Sequence, residues 1–359
     1  MLVETRTEAI ARRVPAAVRA LVAALLGLAA LGVGVAVFLA RAVLAGVKPV
    51  EVLGILLIPA GVALLATAGR IALRGRRWWV AAVVALAAAA AVVQWWVVPA
   101  LDAGLVTNAA HPSVPSASTL GLAGARDVTF ATADGIELAG WYVPGANGTA
   151  VVLAHGAHDD RRDTVDHLRL LARAGYPVLA FDARGHGESA GATNALGWQG
   201  GADVAGAVAF ARRQPGVERV AVLGLSMGAE AGLRAAAAGV PLAAVVADGA
   251  GASTAGDQRL LSGGVLPASV TWLALRGVEL LGGGDEPPAL ADVAGRIRVP
   301  VLLVASGARD EYAIDAIYQR RIGARAALWS VPDAEHTQAL ERHPAAYAAR
   351  VLGLLGSIG

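Results

Sequence analysis

The 359-residue chain contains no cysteine, which excludes disulfide frameworks, thiolate nucleophiles, zinc-thiolate sites and iron-sulfur clusters. Lysine is almost absent: Lys48 is the only one, so basic charge rests on arginine. The formal net charge is only +2. No basic stripe with interleaved aromatics occurs either, so nucleic acid is not an expected partner. Charged residues make up 16% of the chain and hydrophobic ones 56%, against about 25% and roughly 45–50% in an ordinary soluble domain. With a mean hydropathy of +0.57, neither a disordered nor a wholly soluble chain is expected.

The apolar excess is concentrated before residue 101, in three uncharged runs: Ala20–Ala40, Val52–Gly69 and Trp78–Leu101. At about 1.5 Å of helix rise per residue, each run is long enough, or nearly so, to cross a hydrocarbon core of about 30 Å. None has the polar face that a buried helix of a soluble core would show. Three transmembrane helices over about 18–40, 50–69 and 78–100 are therefore expected. Arg6, Arg12, Arg13 and Arg19 precede the first run, and Arg70, Arg74, Arg76 and Arg77 separate the second from the third. The positive-inside rule then puts the N-terminus in the cytoplasm and everything after residue 101 outside. Trp78, Trp79, Trp95 and Trp96 suit an interfacial belt around the third span. No span carries an internal acid, base or histidine, so anchoring in the cell membrane is expected and transport is not.

The stretch Thr107–Gly124 is rich in Pro, Ser, Ala and Gly without periodicity and reads as a linker. An anchor over 1–105, a linker over 106–124 and a second domain over 125–359 follow. In that domain, short apolar runs bounded by Gly or Pro recur at Val128–Thr132, Leu138–Val143, Ala150–Ala154, Val178–Phe181, Arg219–Leu225, Ala243–Ala247, Val301–Ala305 and Ala327–Val331. The first two are separated only by Ala133, Asp134 and Gly135, a hairpin signal. Later runs alternate with helix-length segments, which predicts an α/β fold with a mainly parallel, doubly wound sheet. Ser253–Pro288 breaks this rhythm and reads as a cap insertion over about 253–290.

Gly224-Leu225-Ser226-Met227-Gly228 is a G-x-S-x-G pattern between a β-run and a helix-forming run, the strand-turn-helix setting of a nucleophile elbow. A serine hydroxyl needs a base, and the base needs an orienting carboxylate. In this architecture the order along the chain is Ser, acid, His. Only His336 and His343 follow Ser226. His336 lies in the loop PDAEHTQ after the last strand and is the expected base. His343, beside Pro344 at a helix start, reads as a surface cap. The acid should leave the end of the preceding strand, where Asp310 is the expected residue, with Glu311 as runner-up and Asp248 as the other conceivable acid. The backbone N–H groups of Met227 and Ala157 are the expected oxyanion donors. His155, His158, Asp159 and Asp160 could be imagined as a metal cluster, but a strand-exit turn explains them and their spacing matches no common site. The run Asp182–Ser189 reads as a structural glycine-rich turn held by Asp182 and Arg184.

Together these residues resemble the α/β-hydrolase superfamily over about 125–359. The resemblance rests on the His155-Gly156 turn, the D-x-R-G-H-G-x-S run from Asp182 to Ser189, the elbow, the G-x-x-D at Gly307–Asp310 and the late His336. It implies an eight-stranded sheet with helices on both faces, a small cap after the sixth strand, and serine hydrolase chemistry without a cofactor. Substrates of similar proteins are esters, lipids, thioesters or peptides, the last cleaved by enzymes of the serine aminopeptidase type. Serine at the nucleophile position argues against haloalkane dehalogenase and epoxide hydrolase chemistry. A membrane receptor or scaffold that uses the fold only for binding is the alternative expectation.

Overall fold

The computed structural model describes residues 111–358 except 192, 262–267, 283 and 308, and before them 15, 18–28, 30, 63, 67, 68, 103 and 107. The chain divides into two compact units: Met1–Leu105 with Leu266–Gly277, and Val106–Val265 with Val278–Gly359. In the first unit, residues 18–28 are helical. The three expected spans otherwise fall almost wholly outside the described residues. No helix among the described residues is long and apolar enough to cross a membrane.

The second unit contains eight strands: β1 Arg126–Ala131, β2 Glu137–Val143, β3 Thr149–Ala154, β4 Val178–Phe181, β5 Arg219–Leu225, β6 Val245–Asp248, β7 Val301–Ser306 and β8 Ala326–Val331. Each expected run forms a strand, and the eight make one sheet in the order β1-β2-β4-β3-β5-β6-β7-β8. β2 pairs antiparallel with β1 and β4, and every other pairing is parallel. Among the described residues the unit's helices of two turns or more are α1 Val165–Arg173, α2 Gly200–Arg212, α3 Met227–Ala237, α5 Arg309–Ile322 and α6 Pro344–Ser357, and α4 Ala268–Gly282 has residues in both units.

The central strands are apolar on both faces because both faces are covered. On β3, Val152 and Ala154 enter one core and Val151 and Leu153 the other; on β5, Val220 and Val222 separate in the same way from Ala221, Leu223 and Leu225. The first core takes Val204 and Val208 of α2, Leu233 of α3 and Ile314, Tyr318 and Ile322 of α5. The second takes Leu168 and Leu171 of α1 with Tyr347, Val351 and Leu355 of α6. The i, i+4, i+8 spacing on α6 puts its three large residues on one face, and Pro344 starts the helix where a missing N–H costs nothing. With helices on both faces, the carboxyl ends of β5 to β8 open on one edge, where side chains from separate loops converge.

The Asp182–Ser189 turn is the structural element expected. The buried Asp182 carboxylate accepts the Arg161 N–H (2.8 Å), the Glu188 N–H (2.9 Å) and Arg161 Nη1 (2.5 Å). Arg184 bridges Asp134 of the β1–β2 turn and Asp203 of α2.

Candidate active site

Ser226 lies between the end of β5 and the first residue of α3, with φ 52° and ψ −113°. Such a left-handed non-glycine residue costs about 1–3 kcal/mol and persists only where its surroundings enforce it. They do so here. A Cβ at Gly224 would stand 2.1 Å from the Gly228 carbonyl oxygen, and one at Gly228 would stand 2.2 Å from that of Ala154. The two flanking glycines thus allow the helix to start against the sheet. The Ser226 N–H donates to the Asp248 carbonyl on β6 (2.8 Å), while its own carbonyl accepts from Ala229 (2.9 Å) and Glu230 (3.2 Å). The hydroxyl is left half-buried at the strand edge.

His336 follows β8 and faces this hydroxyl, with Nε2 2.9 Å from Ser226 Oγ. Its Nδ1 lies 2.6 Å from Glu311 Oε2. A carboxylate can only accept, so the proton sits on Nδ1 and the bare Nε2 accepts from the serine. The other oxygen of Glu311 accepts the Ser306 N–H at 2.5 Å, so the carboxylate is clamped between the end of β7 and the imidazole. The hydrogen bond to Glu311 raises the His336 pKa above 6.5; the charges of Glu311, Asp248 and Asp159 add to this, and partial burial opposes it.

The structure thus brings Glu311, and not the expected Asp310, to His336. Asp310 is exposed, and Glu311 is buried in its place. α5 begins at Arg309, so consecutive residues of its first turn point about 100° apart. That rotation turns Asp310 to solvent and Glu311 inward. Asp248 is fully buried at the end of β6 near the Tyr347 and Ser306 hydroxyls, and neither carboxylate oxygen has a hydrogen bond of good geometry among the described residues. Burial is the main cause pushing its pKa up to about 7. His343 binds Asp333 at the surface, at 3.0 Å.

Met227, as the first residue of α3, has an N–H with no intrahelical acceptor. Ala157 follows Gly156, where a Cβ would stand 3.4 Å from the Ser226 Cβ. The neighbouring His155 is fully engaged: its Nε2 accepts the Ala183 N–H (2.9 Å) and its Nδ1 donates to the Gly156 carbonyl (2.7 Å). Burial lowers its pKa to about 4, keeping it neutral. Among the described residues no group of three or more His, Cys, Asp or Glu side chains is placed to hold a metal ion.

Residues 145–273 match the family model described as "Serine aminopeptidase, S33". The curated relatives "Uncharacterized protein Rv2307c" and "Uncharacterized protein MT2364", from two strains of Mycobacterium tuberculosis, are each 33% identical over 219 residues. Each alignment covers 60% of this chain and 71% of the relative. Among solved structures, the esterase Pf2001 of Pyrococcus furiosus is similar at 24% identity and a TM-score of 0.57, over 70% of this chain and 98% of that one. The α/β hydrolase GrgF of Penicillium sp. sh18 is similar at 19% identity and a TM-score of 0.52, over 65% and 98%. These two likenesses establish the shared fold.

Proposed function

Because the chain belongs to the α/β-hydrolase superfamily, in one family with the two mycobacterial proteins, we propose that it is a serine hydrolase that cleaves ester, thioester or amide bonds. The observation that carries this reading is the continuous chain of hydrogen bonds from Ser226 Oγ through His336 to Glu311. His336 takes the serine proton as Ser226 attacks the carbonyl, and Glu311 holds the imidazole in the required tautomer and stabilises the imidazolium. The Met227 and Ala157 N–H groups receive the oxyanion. His336 then protonates the leaving group and activates the water that releases the acyl-enzyme. Turnover of short-chain aryl esters by the wild type, lost by at least about a thousandfold in Ser226→Ala, is expected. Equal turnover by the two proteins would overturn the proposal. The family description favours amides as a second substrate class, and aminoacyl amides in the same assay decide between them.

We further infer that the first hundred residues anchor the enzyme in the cell membrane, with the N-terminus inside and the catalytic domain outside. The three long uncharged runs and the flanking arginines support this. So does the helix at 18–28, which exposes Leu21, Val22, Leu25 and Leu26. The full-length protein should stay with membranes through alkaline carbonate washing and be digested by protease added from outside. Release into the wash would refute anchoring, and protection from the protease would refute the orientation.

A further inference from the structure

We propose that Asp159 sets the specificity of this site, selecting substrates that carry a positive charge close to the scissile carbonyl over neutral and anionic ones. The inference rests on the acyl-transfer reading of Ser226.

Asp159 lies in the loop leaving β3, three residues after Gly156. A Cβ at Gly156 would stand 2.6 Å from Asp159 Oδ2 and 3.4 Å from the Ser226 Cβ, so the carboxylate oxygen is within about 6 Å of the nucleophile's Cβ. The other acids of the loop are committed to its architecture. Asp160 accepts from Arg162 Nε (2.8 Å) and from the Arg162 N–H (2.9 Å), and it shares a capping box with Asp163. Asp159 has neither a hydrogen bond nor an ion pair among the described residues. The ionisable groups that face it are Asp163, His158, Asp160 and His336. Burial chiefly, helped by the repulsion of Asp163 and Asp160 and opposed by His158 and His336, raises its pKa to about 6, so at neutral pH it is an anion beside the reacting centre with no hydrogen-bonded partner among the described residues.

Such an anion has a direct consequence for catalysis. Attack on a carbonyl places a second negative charge, the oxyanion, in the same small region, while the single positive charge of the His336 imidazolium formed in that step is already shared with Glu311. A neutral substrate leaves the two charges to repel, a carboxylate-bearing one adds a third, and a cationic group offsets them most when the oxyanion has formed. Coulomb's law at about 6 Å, taken between the effective dielectric constants of water and of a protein surface, brackets the effect at roughly three- to hundredfold in rate.

The test compares kcat/KM for matched aryl esters that are neutral, ammonium-bearing or carboxylate-bearing, with the charge on the acyl group in one series and on the alcohol in the other. At pH 7.5 and low salt, wild type should favour the cationic ester about tenfold over the neutral one in at least one series, and should disfavour the anionic one. Asp159→Asn should bring the cationic-to-neutral ratio near unity, while Asp159→Glu should preserve it. In wild type alone the ratio should fall as pH drops from 7.5 to 5, because His336 titration affects every ester equally and cancels in the ratio. A ratio near unity in both series, or one that neither Asp159→Asn nor acid changes, overturns the inference and leaves the hydrolase reading intact. A wild type inactive on all the esters overturns both.

Discussion

Glu311→Gln separates the geometry of this site from the pattern in its sequence. Glu311 uses both carboxylate oxygens, one for the Ser306 N–H at 2.5 Å and one for His336 Nδ1 at 2.6 Å. Glutamine has a single carbonyl oxygen. If that oxygen keeps the buried Ser306 N–H, the amide NH₂ faces His336 and must donate to Nδ1, which moves the imidazole proton to Nε2. Nε2 can then no longer accept the Ser226 proton. If the oxygen turns to His336 instead, the Ser306 N–H loses its acceptor and the negative charge that stabilises the imidazolium is still gone. The first outcome removes the base, and the second leaves it without the charge that stabilises its protonated form. Loss of the orienting carboxylate in the template triad costs about 10⁴ in kcat, and a loss of 10³–10⁴, or about 4–5.5 kcal/mol of transition-state stabilisation, is expected here. Asp310→Asn alters an exposed side chain with no hydrogen bond among the described residues and should stay within about twofold of wild type. The assay is steady-state hydrolysis of an activated aryl ester, with circular dichroism to confirm folding. A Glu311→Gln enzyme within tenfold of wild type, or an equal loss in Asp310→Asn, would refute the assignment.

Three further outcomes follow from the same structure. Because the bond to Glu311 raises the His336 pKa and the base must be neutral to act, kcat/KM should rise with pH through an inflection above 6.5, and residual Glu311→Gln activity should inflect lower; an inflection in wild type clearly below 6.5 would contradict this. Gly228→Ala puts a Cβ 2.2 Å from the Ala154 carbonyl oxygen and 2.7 Å from that of His155. Rigid backbone on that side should make it cost about 3 kcal/mol or more in urea unfolding, and a midpoint equal to wild type would show that the elbow is not packed as described. Asp182→Ala removes the buried one of the two carboxylate partners of Arg161, in an ion pair with side chains 2% and 0% exposed, and leaves it only the half-exposed Glu188. It should lose about 3–5 kcal/mol of stability, and a loss under 1 kcal/mol would mean that the turn does not depend on this pair.

Sequence pattern carried much of the fold because the sheet imposes it. Strands buried on both faces must be continuously apolar, and runs such as VVLA before His155 and VLLVA before Ser306 stand out for that reason. The elbow was equally legible, since its close approach of helix to sheet admits only glycine on either side of the serine's neighbours. The carboxylate was not. Asp310 and Glu311 are adjacent, chemically equivalent and both in the first turn of α5. Choosing between them requires the rotation of that helix about its axis, which is set by Ile314, Tyr318 and Ile322 packing into the core and not by any local motif. Asp159 read only as part of a strand-exit turn for a related reason. Its place beside the nucleophile depends on the close approach of Gly156 to Ser226, a contact between loops 70 residues apart in the chain, while in the sequence it reads as one more polar residue of a turn. Asp248 ends β6 inside an apolar run, and its complete burial is a property of the finished sheet.

Covalent labelling of the full-length protein with a fluorophosphonate probe, comparing wild type with Ser226→Ala, tests whether the hydroxyl held by His336 is an activated nucleophile. Stoichiometric labelling of wild type that is absent from the alanine variant and strongly slowed in Glu311→Gln is the expected result. A folded wild type that takes up no probe, or label that persists in Ser226→Ala, would contradict it.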